Sequence, residues 1–195
     1  LNCGLGSGDD PHAVETNRPL AADAIIDGAP LASVHQIHSP TTAIVTEAVP
    51  HSERPRADAL VTDRPGLLLG VVTADCAPVL LADVEAEVVG AAHAGWRGAT
   101  AGVTDQVIAA MISLGARVER IAAAVGPCIA RASYEVDHAF AERILADDPD
   151  NEQFLGEGPK GRPHFDLEAY VVARLAAAGV RRVEAMGLDT YALED

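Results

Sequence analysis

The stretch from Asp58 to Asp83 is the most apolar in the chain, and within it GLLLGVVTA, residues 66–74, is almost continuously hydrophobic. A strand of that composition is expected to be buried on both faces, because a strand with one wet face alternates apolar and polar residues. VVGAAHAG, residues 88–95, repeats the character. Strand candidates outnumber helices and arrive in clusters, which favours mixed α+β over a regular βαβ alternation.

The remaining elements follow from local pattern. Asp10-Pro11 reads as an N-cap followed by proline at the first helical position, opening a helix that runs to about Ile26 and stops before Gly28. LASVHQIHS (31–39) and TTAIVTEAV (41–49) alternate as strands do, and Pro50 to Pro55 reads as a loop. Val103, Val107, Ile108, Met111 and Ile112 form the stripe of a helix from about Gly98 to Leu114, with Gly115 as its stop. ERIAAAVGP is a strand candidate, followed by a helix from about Val136 to Ala146. Residues 147–163 are acidic, rich in Gly and Pro and without a periodic pattern, so a mobile loop is expected. Asp166 caps a helix carrying Leu167, Tyr170, Val171, Leu175 and Ala178 on one face and ending at Gly179; RRVEAMGLD is the last strand.

No repeat or linker divides the 195 residues, and at about 150 residues per domain one domain is expected. Half of the residues are apolar (49%), enough for a buried core. Fourteen basic side chains against 29 acidic ones give a net charge of −15. That balance argues against nucleic-acid or anionic-membrane binding, which need basic surface, while leaving room for one small anion in a local positive pocket. Aromatic residues (4%) are too few for base-stacking platforms. No apolar run approaches the roughly 18 residues of a membrane span, and no secretory signal is recognised at the start, so a cytoplasmic location is expected.

Cys3, Cys76 and Cys128 are odd in number and form no CxxC pair, which fits free thiols in a reducing compartment. Of the seven histidines, His12 and His138 fall on expected helices near acids, and His51 and His164 in expected loops. His38 and His93 differ. Each ends an apolar strand candidate, His38 before Ser39-Pro40 and His93 before Gly95-Trp96-Arg97-Gly98, while Cys76 lies in the turn TADCAP. Strand ends hand side chains to loops, a common position for active groups. Two imidazoles and a thiolate suit zinc, and three protein ligands leave a fourth position open, the catalytic pattern. The same residues without metal make a Cys nucleophile with a His base. Asp75 beside Cys76 either moves protons or orients a ligand, or else bonds its own turn.

In AGWRGATAG, Gly95 and Gly98 permit close backbone approach, a helix beginning near Gly98 offers free N–H groups, and Arg97 adds a bidentate donor. Together these can hold phosphate beside His93. The alternative is a tight strand–helix turn with Trp96 as packing.

TADCAPVLLAD, AAHAGWRGATAGV and DALVTDRPG resemble blocks of the YfiH family, also called multicopper polyphenol oxidase or laccase-domain proteins and, more recently, purine nucleoside phosphorylases. LNCGLGSGDDP, Asn17-Arg18, HQIHS and VGPCIARASYEV match further blocks, so the resemblance covers residues 2 to about 190. It implies a four-layer α/β/β/α sandwich with mixed sheets, shared with toxin-type cysteine hydrolases. It also implies a catalytic metal trio at His38, Cys76 and His93. The implied activity is phosphorolysis of adenosine, inosine, guanosine and methylthioadenosine, with adenosine deamination. Zinc is the implied ion and copper a lesser occupant. A blue multicopper oxidase needs roughly ten histidines in HxH and HCH arrangements; this chain has seven, with neither motif.

The family's extreme N- and C-terminal segments are not recognised in these residues. Ser39 stands where the family usually has Gly. His35 stands where Asn is common; it is either an extra ligand or, as the favoured expectation, turned to the opposite strand face or to solvent. Two other readings remain: a metal-free Cys-His amidohydrolase acting on peptidoglycan precursors, and a non-enzymatic nucleoside or protein binder.

Overall fold

A computed structural model describes residues 2–192. The architecture is mixed α+β. Helix α1 (Pro11–Asp23) precedes β1 (Leu31–Ser33) and β2 (Thr42–Ile44); a 3-10 turn at His51–Glu53 leads to β3 (Ala59–Thr62) and β4 (Leu68–Gly70). Next come β5 (Ala77–Asp83), β6 (Val88–Ala94), α2 (Trp96–Thr100), α3 (Val103–Ser113), β7 (Ala122–Val125) and α4 (His138–Asp147). The chain finishes with β8 (Leu155–Glu157), β9 (Pro163–Phe165), α5 (Leu167–Ala177) and β10 (Arg182–Ala185).

The main sheet has six strands in the order β10-β7-β5-β6-β3-β2, and β1-β4 and β8-β9 are separate two-stranded sheets. The main sheet is mixed: β10 runs parallel to β7 and β2 parallel to β3, while β5 and β6 pair antiparallel with their neighbours. On one face the inward side chains of β3, β5 and β6, including Val61, Val79 and Val88, pack with Val107 and Met111 of α3 and Leu175 of α5. On the other, Leu60 and Ala91 meet Ala32 and Val34 of the β1 layer. Arg18 of α1 reaches β1 through Ser33 Oγ at 2.9 Å. Period-2 alternation along β3 and β6 thus feeds two cores at once.

Several expected elements are shortened or moved. The expected strand 31–39 ends at Ser33, and the expected strand 41–49 covers only residues 42–44. The N–H groups of residues 37–39 go to a side chain rather than to a ladder, and Pro40 has none to give. The run 66–74 is not a doubly buried strand: β4 is three half-buried residues, and Val72 spends its N–H and C=O on the Gln36 amide, each at 2.8 Å. The strands covered on both faces are β3 and most of β6.

The helix expected from Gly98 starts at Trp96 and is broken at Gly102, whose φ of 93° a side chain would strain. Ile112 of the expected stripe is exposed. Helix α1 stops at Asp23, leaving Ile25 and Ile26 exposed. Residues 147–163 are ordered by local bonds: Asn151 Nδ2 donates to Ile144 O at 3.0 Å, Phe154 is buried, and β8 pairs with β9. His164 therefore lies buried in β9 rather than in a loop, its Nδ1 2.7 Å from Arg131 O. The caps at Asp10, Asp137 and Asp166 each accept from a helical N–H.

Asp83 closes β5 and has no exposed surface. Its carboxylate accepts from the N–H groups of Glu85, Ala86 and Arg117 and from the Arg120 guanidinium. Burial alone would push its pKa up, but the Arg117 N–H and Arg120 outweigh this and hold it below the usual carboxylate range. A depressed folded pKa contributes stability above the unfolded value of about 3.9 that is lost as pH falls through the folded value. Asp83→Asn is therefore expected to lower the urea midpoint at pH 7, with the gap from wild type closing as pH drops below about 4. Equal midpoints at pH 7 would contradict this role.

Candidate metal centre

The site is organised around Asp58, which stands immediately before β3 and has no exposed surface. Its backbone C=O accepts from His93 N–H of β6 at 2.7 Å. Its side chain turns to the neighbouring 36–40 loop. There it accepts from the N–H groups of Ile37 (3.1 Å), His38 (2.9 Å) and Ser39 (2.6 Å) and from Ser39 Oγ (3.0 Å). His93 Nδ1 lies 2.9 Å from Asp58 Oδ1. Burial pushes the Asp58 carboxyl up, yet the Ser39 N–H, the His93 ring and the His38 and Ile37 N–H groups together hold it below its usual range. A carboxylate can only accept, so His93 Nδ1–H donates and Nε2 keeps its lone pair. Burial also lowers the His93 pKa against the pull of Asp58, which keeps the ring neutral.

The loop Asp58 holds brings in the second imidazole. His38 does not end a strand, as expected from its neighbours, but sits in the loop with φ of 58°. A non-glycine residue pays for that left-handed backbone, and three N–H bonds to one carboxylate offset the cost. The rings of His38 and His93 meet edge to face with centroids 4.8 Å apart. Cys76 arrives from the turn before β5, whose register sets Ala77 beside Ala94 and Pro78 beside His93. Ligand atoms of His38, Cys76 and His93 all lie within 4.8 Å of one another.

Two glycines make room. A Cβ on Gly95 would stand 2.8 Å from Cys76 Sγ and 3.2 Å from the His38 ring; one on Gly98 would stand 3.2 Å from Ser39 O. The room at both glycines is taken up by Cys76, His38 and Ser39 of the protein itself, and α2 begins at Trp96 rather than Gly98. Arg97 is exposed, its guanidinium 4.6 Å from the centre of the Trp96 ring. Trp96 itself packs edge-on against Phe140 at 5.0 Å. Asp75 is exposed, and its Oδ1 accepts from Thr190 Oγ1 at 2.9 Å rather than from its own turn. His35 is exposed, as expected.

The donor set fits a borderline-soft divalent cation: one sulfur, two ring nitrogens, and a carboxylate behind one imidazole fixing its tautomer. Burial, then Asp75 and Asp58, push the Cys76 thiol up, so little thiolate is present near neutrality without a cation. This weighs against a metal-free nucleophile. Among the described residues this is the one group of three or more His, Cys, Asp or Glu side chains placed to hold an ion, which does not fit a multicopper arrangement.

Sequence reasoning missed two residues. Asp58 was seen only as the first residue of the block DALVTDRPG and the start of an apolar run, with no role assigned to it. Tyr134 was seen only within a matching block. Its phenol is pushed up to about 12 by burial and by Cys76, with Arg97 opposing and Asp75 adding, so it belongs to the same neighbourhood.

A mixed α+β fold with a His–Cys–His cluster at one end of its central sheet is the class this geometry defines. The chain belongs to the multi-copper polyphenol oxidoreductase laccase family, whose sequence profile matches residues 1–195. It is 41% identical over 181 residues to a purine nucleoside phosphorylase of Streptomyces coelicolor, covering 92% of this chain and 74% of the relative. It is 43% identical over 182 residues to one from Streptomyces griseus, covering 92% and 73%. Among solved structures, Bacillus licheniformis YfiH superposes with a TM-score of 0.90 at 28% identity, covering 99% of this chain and 77% of that one. A Neisseria meningitidis protein superposes with 0.88 at 33% identity, covering 100% and 78%. The YfiH resemblance and the mixed-sheet α+β fold are thereby borne out.

Asp58→Asn replaces one accepting oxygen by a donor facing N–H groups. We expect it to weaken zinc binding about 10- to 100-fold in chelator competition, the usual cost of losing a ligand's carboxylate partner. Unchanged affinity would remove Asp58 from the site.

Proposed function

We propose that this chain is a zinc-dependent purine nucleoside phosphorylase that also deaminates adenosine. The observation that carries the reading is the convergence of His38, Cys76 and His93, their ligand atoms all within 4.8 Å of one another. The names of its relatives in two Streptomyces species support the class, purine nucleosides with phosphate as co-substrate; adenosine, inosine, guanosine and methylthioadenosine are the members proposed here. Residues 1–195 act as one catalytic domain, and three free cysteines suit the cytoplasm.

A zinc ion held by His38, Cys76 and His93 supplies Lewis acidity at neutral pH. Asp58 keeps His93 neutral and aimed. The Arg97 guanidinium orients phosphate. In phosphorolysis a phosphate oxygen bonds to the anomeric carbon while the glycosidic C–N bond breaks. The base leaves with the electron pair and takes up the proton that the attacking dihydrogen phosphate gives up, with Asp75 as its relay. In deamination water adds at C6 of adenine and ammonia departs, Asp75 relaying the proton to the nitrogen.

The family's description favours one lesser reading: copper in the same three donors, with polyphenol oxidase activity.

The test is metal analysis of purified protein, then inosine incubated with and without phosphate. We expect one zinc per chain, phosphate-dependent release of hypoxanthine, and a loss of about 100-fold or more with His93→Ala, beyond the range for losing a ligand's partner alone. Full turnover by His93→Ala, or no release with phosphate, contradicts the reading. Oxidation of a phenol by copper-loaded protein alone would favour the second.

A further inference from the structure

A cleft lies between α1, β1 and the turn at residues 49–54, with a volume of about 520 Å³. That is the size of a small-metabolite pocket. None of His38, Cys76, His93 or Arg97 lines it. Two arginines do, one from each side: Arg18 from α1 and Arg54 from the turn. Both are half-buried, and neither makes an ion pair among the described residues.

Each guanidinium is fixed by uncharged oxygens, all but one of them backbone carbonyls. Arg18 donates to Cys3 O at 3.0 Å and to Ser33 Oγ at 2.9 Å. Arg54 donates to His51 O at 3.2 Å and to Val34 O at 3.0 Å. Neutral acceptors orient the two forks without neutralising them. Burial, then the like charge of Arg18, lowers the Arg54 pKa, so the two cations feel one another across the cleft. In a chain of net charge −15, two half-buried cations that line one cleft and make no ion pair among the described residues call for an anion.

Two carboxylates also line the cleft, Glu15 and Asp23. Both are exposed, and they lie about 4.5 and 7.5 Å from Arg18 along the helix at 1.5 Å per residue. Asp23 Oδ1 is taken by Gly28 N–H at 3.0 Å. They border the site without filling its centre. Leu5, Pro19, Ala22, Leu31 and Val49 give it an apolar wall.

We propose that this cleft binds a small phosphomonoester, its phosphate clasped between Arg18 and Arg54 and its organic body resting on Leu31 and Val49. A phosphate offers three acceptor oxygens and nearly two charges, enough for two guanidinium forks, whereas one fork satisfies a carboxylate. The site is separate from the metal centre, and its occupancy does not depend on turnover there.

Ribose 5-phosphate is the probe, with ribose as control, measured by isothermal titration calorimetry on the whole chain. Arg54→Gln removes one fork; Val49→Trp fills the cleft without removing a side-chain hydrogen bond. Arg97→Ala reports on the other candidate anion position. Saturable binding of about one ribose 5-phosphate per chain and none of ribose is expected. Affinity should fall about tenfold or more in both cleft variants and stay within about twofold of wild type in Arg97→Ala. No saturable binding to wild type, undiminished binding in either cleft variant, or loss of binding with Arg97→Ala overturns the proposal.

Discussion

One buried carboxylate holds the metal centre together. Asp58 accepts from five donors on two separate pieces of chain: three N–H groups and a hydroxyl of the 37–39 loop, and the His93 ring. Burying a carboxylate costs several kcal/mol, and each hydrogen bond to a charged group returns about 1.5–3 kcal/mol. Only a nearly complete set of donors makes such a residue tolerable inside a protein. That same set bends the loop so that His38 faces His93. Ser39, in a position where the resemblance leads one to expect Gly, adds its hydroxyl to the set.

The sheet supplies the rest. β3 and β6 pair so that Asp58 and His93 meet at the end of their ladder, and β5 delivers Cys76 from the strand on the far side of β6. Antiparallel pairing sets these distances through backbone hydrogen bonds, which are much stiffer than a loop. Side chains 38, 76 and 93 therefore converge although 55 residues separate the first from the last. The absence of a Cβ at Gly95 lets the thiol and the imidazole share the space above β6. Packing, electrostatics and ligand chemistry agree at one spot.

His38, Cys76 and His93 stood out because each combines a metal-binding side chain with a place where an apolar segment gives way to a turn, and the family resemblance joined them into one candidate site. The strands β5 and β6 were legible from hydrophobic composition, and α3 and α5 from their stripes. What was not legible depends on partners distant in sequence. Val72 looks like part of a strand until Gln36 takes its backbone bonds. Residues 147–163 look like a loop until Asn151, Phe154 and the β8–β9 pairing are seen in three dimensions. Asp58 could not be told from a turn aspartate, because its role lies in who donates to it. His164 was misplaced for the same reason: strand β9 exists only because β8 lies beside it.

X-ray absorption at the metal edge of the purified protein examines the convergence of the three side chains most directly. The expected first shell has one sulfur at about 2.3 Å and two nitrogens at about 2.0–2.1 Å, with a lighter atom in the remaining position. A shell of nitrogen and oxygen alone, or a cysteine-rich shell with no imidazole, would contradict the assignment of His38, Cys76 and His93 as a single centre.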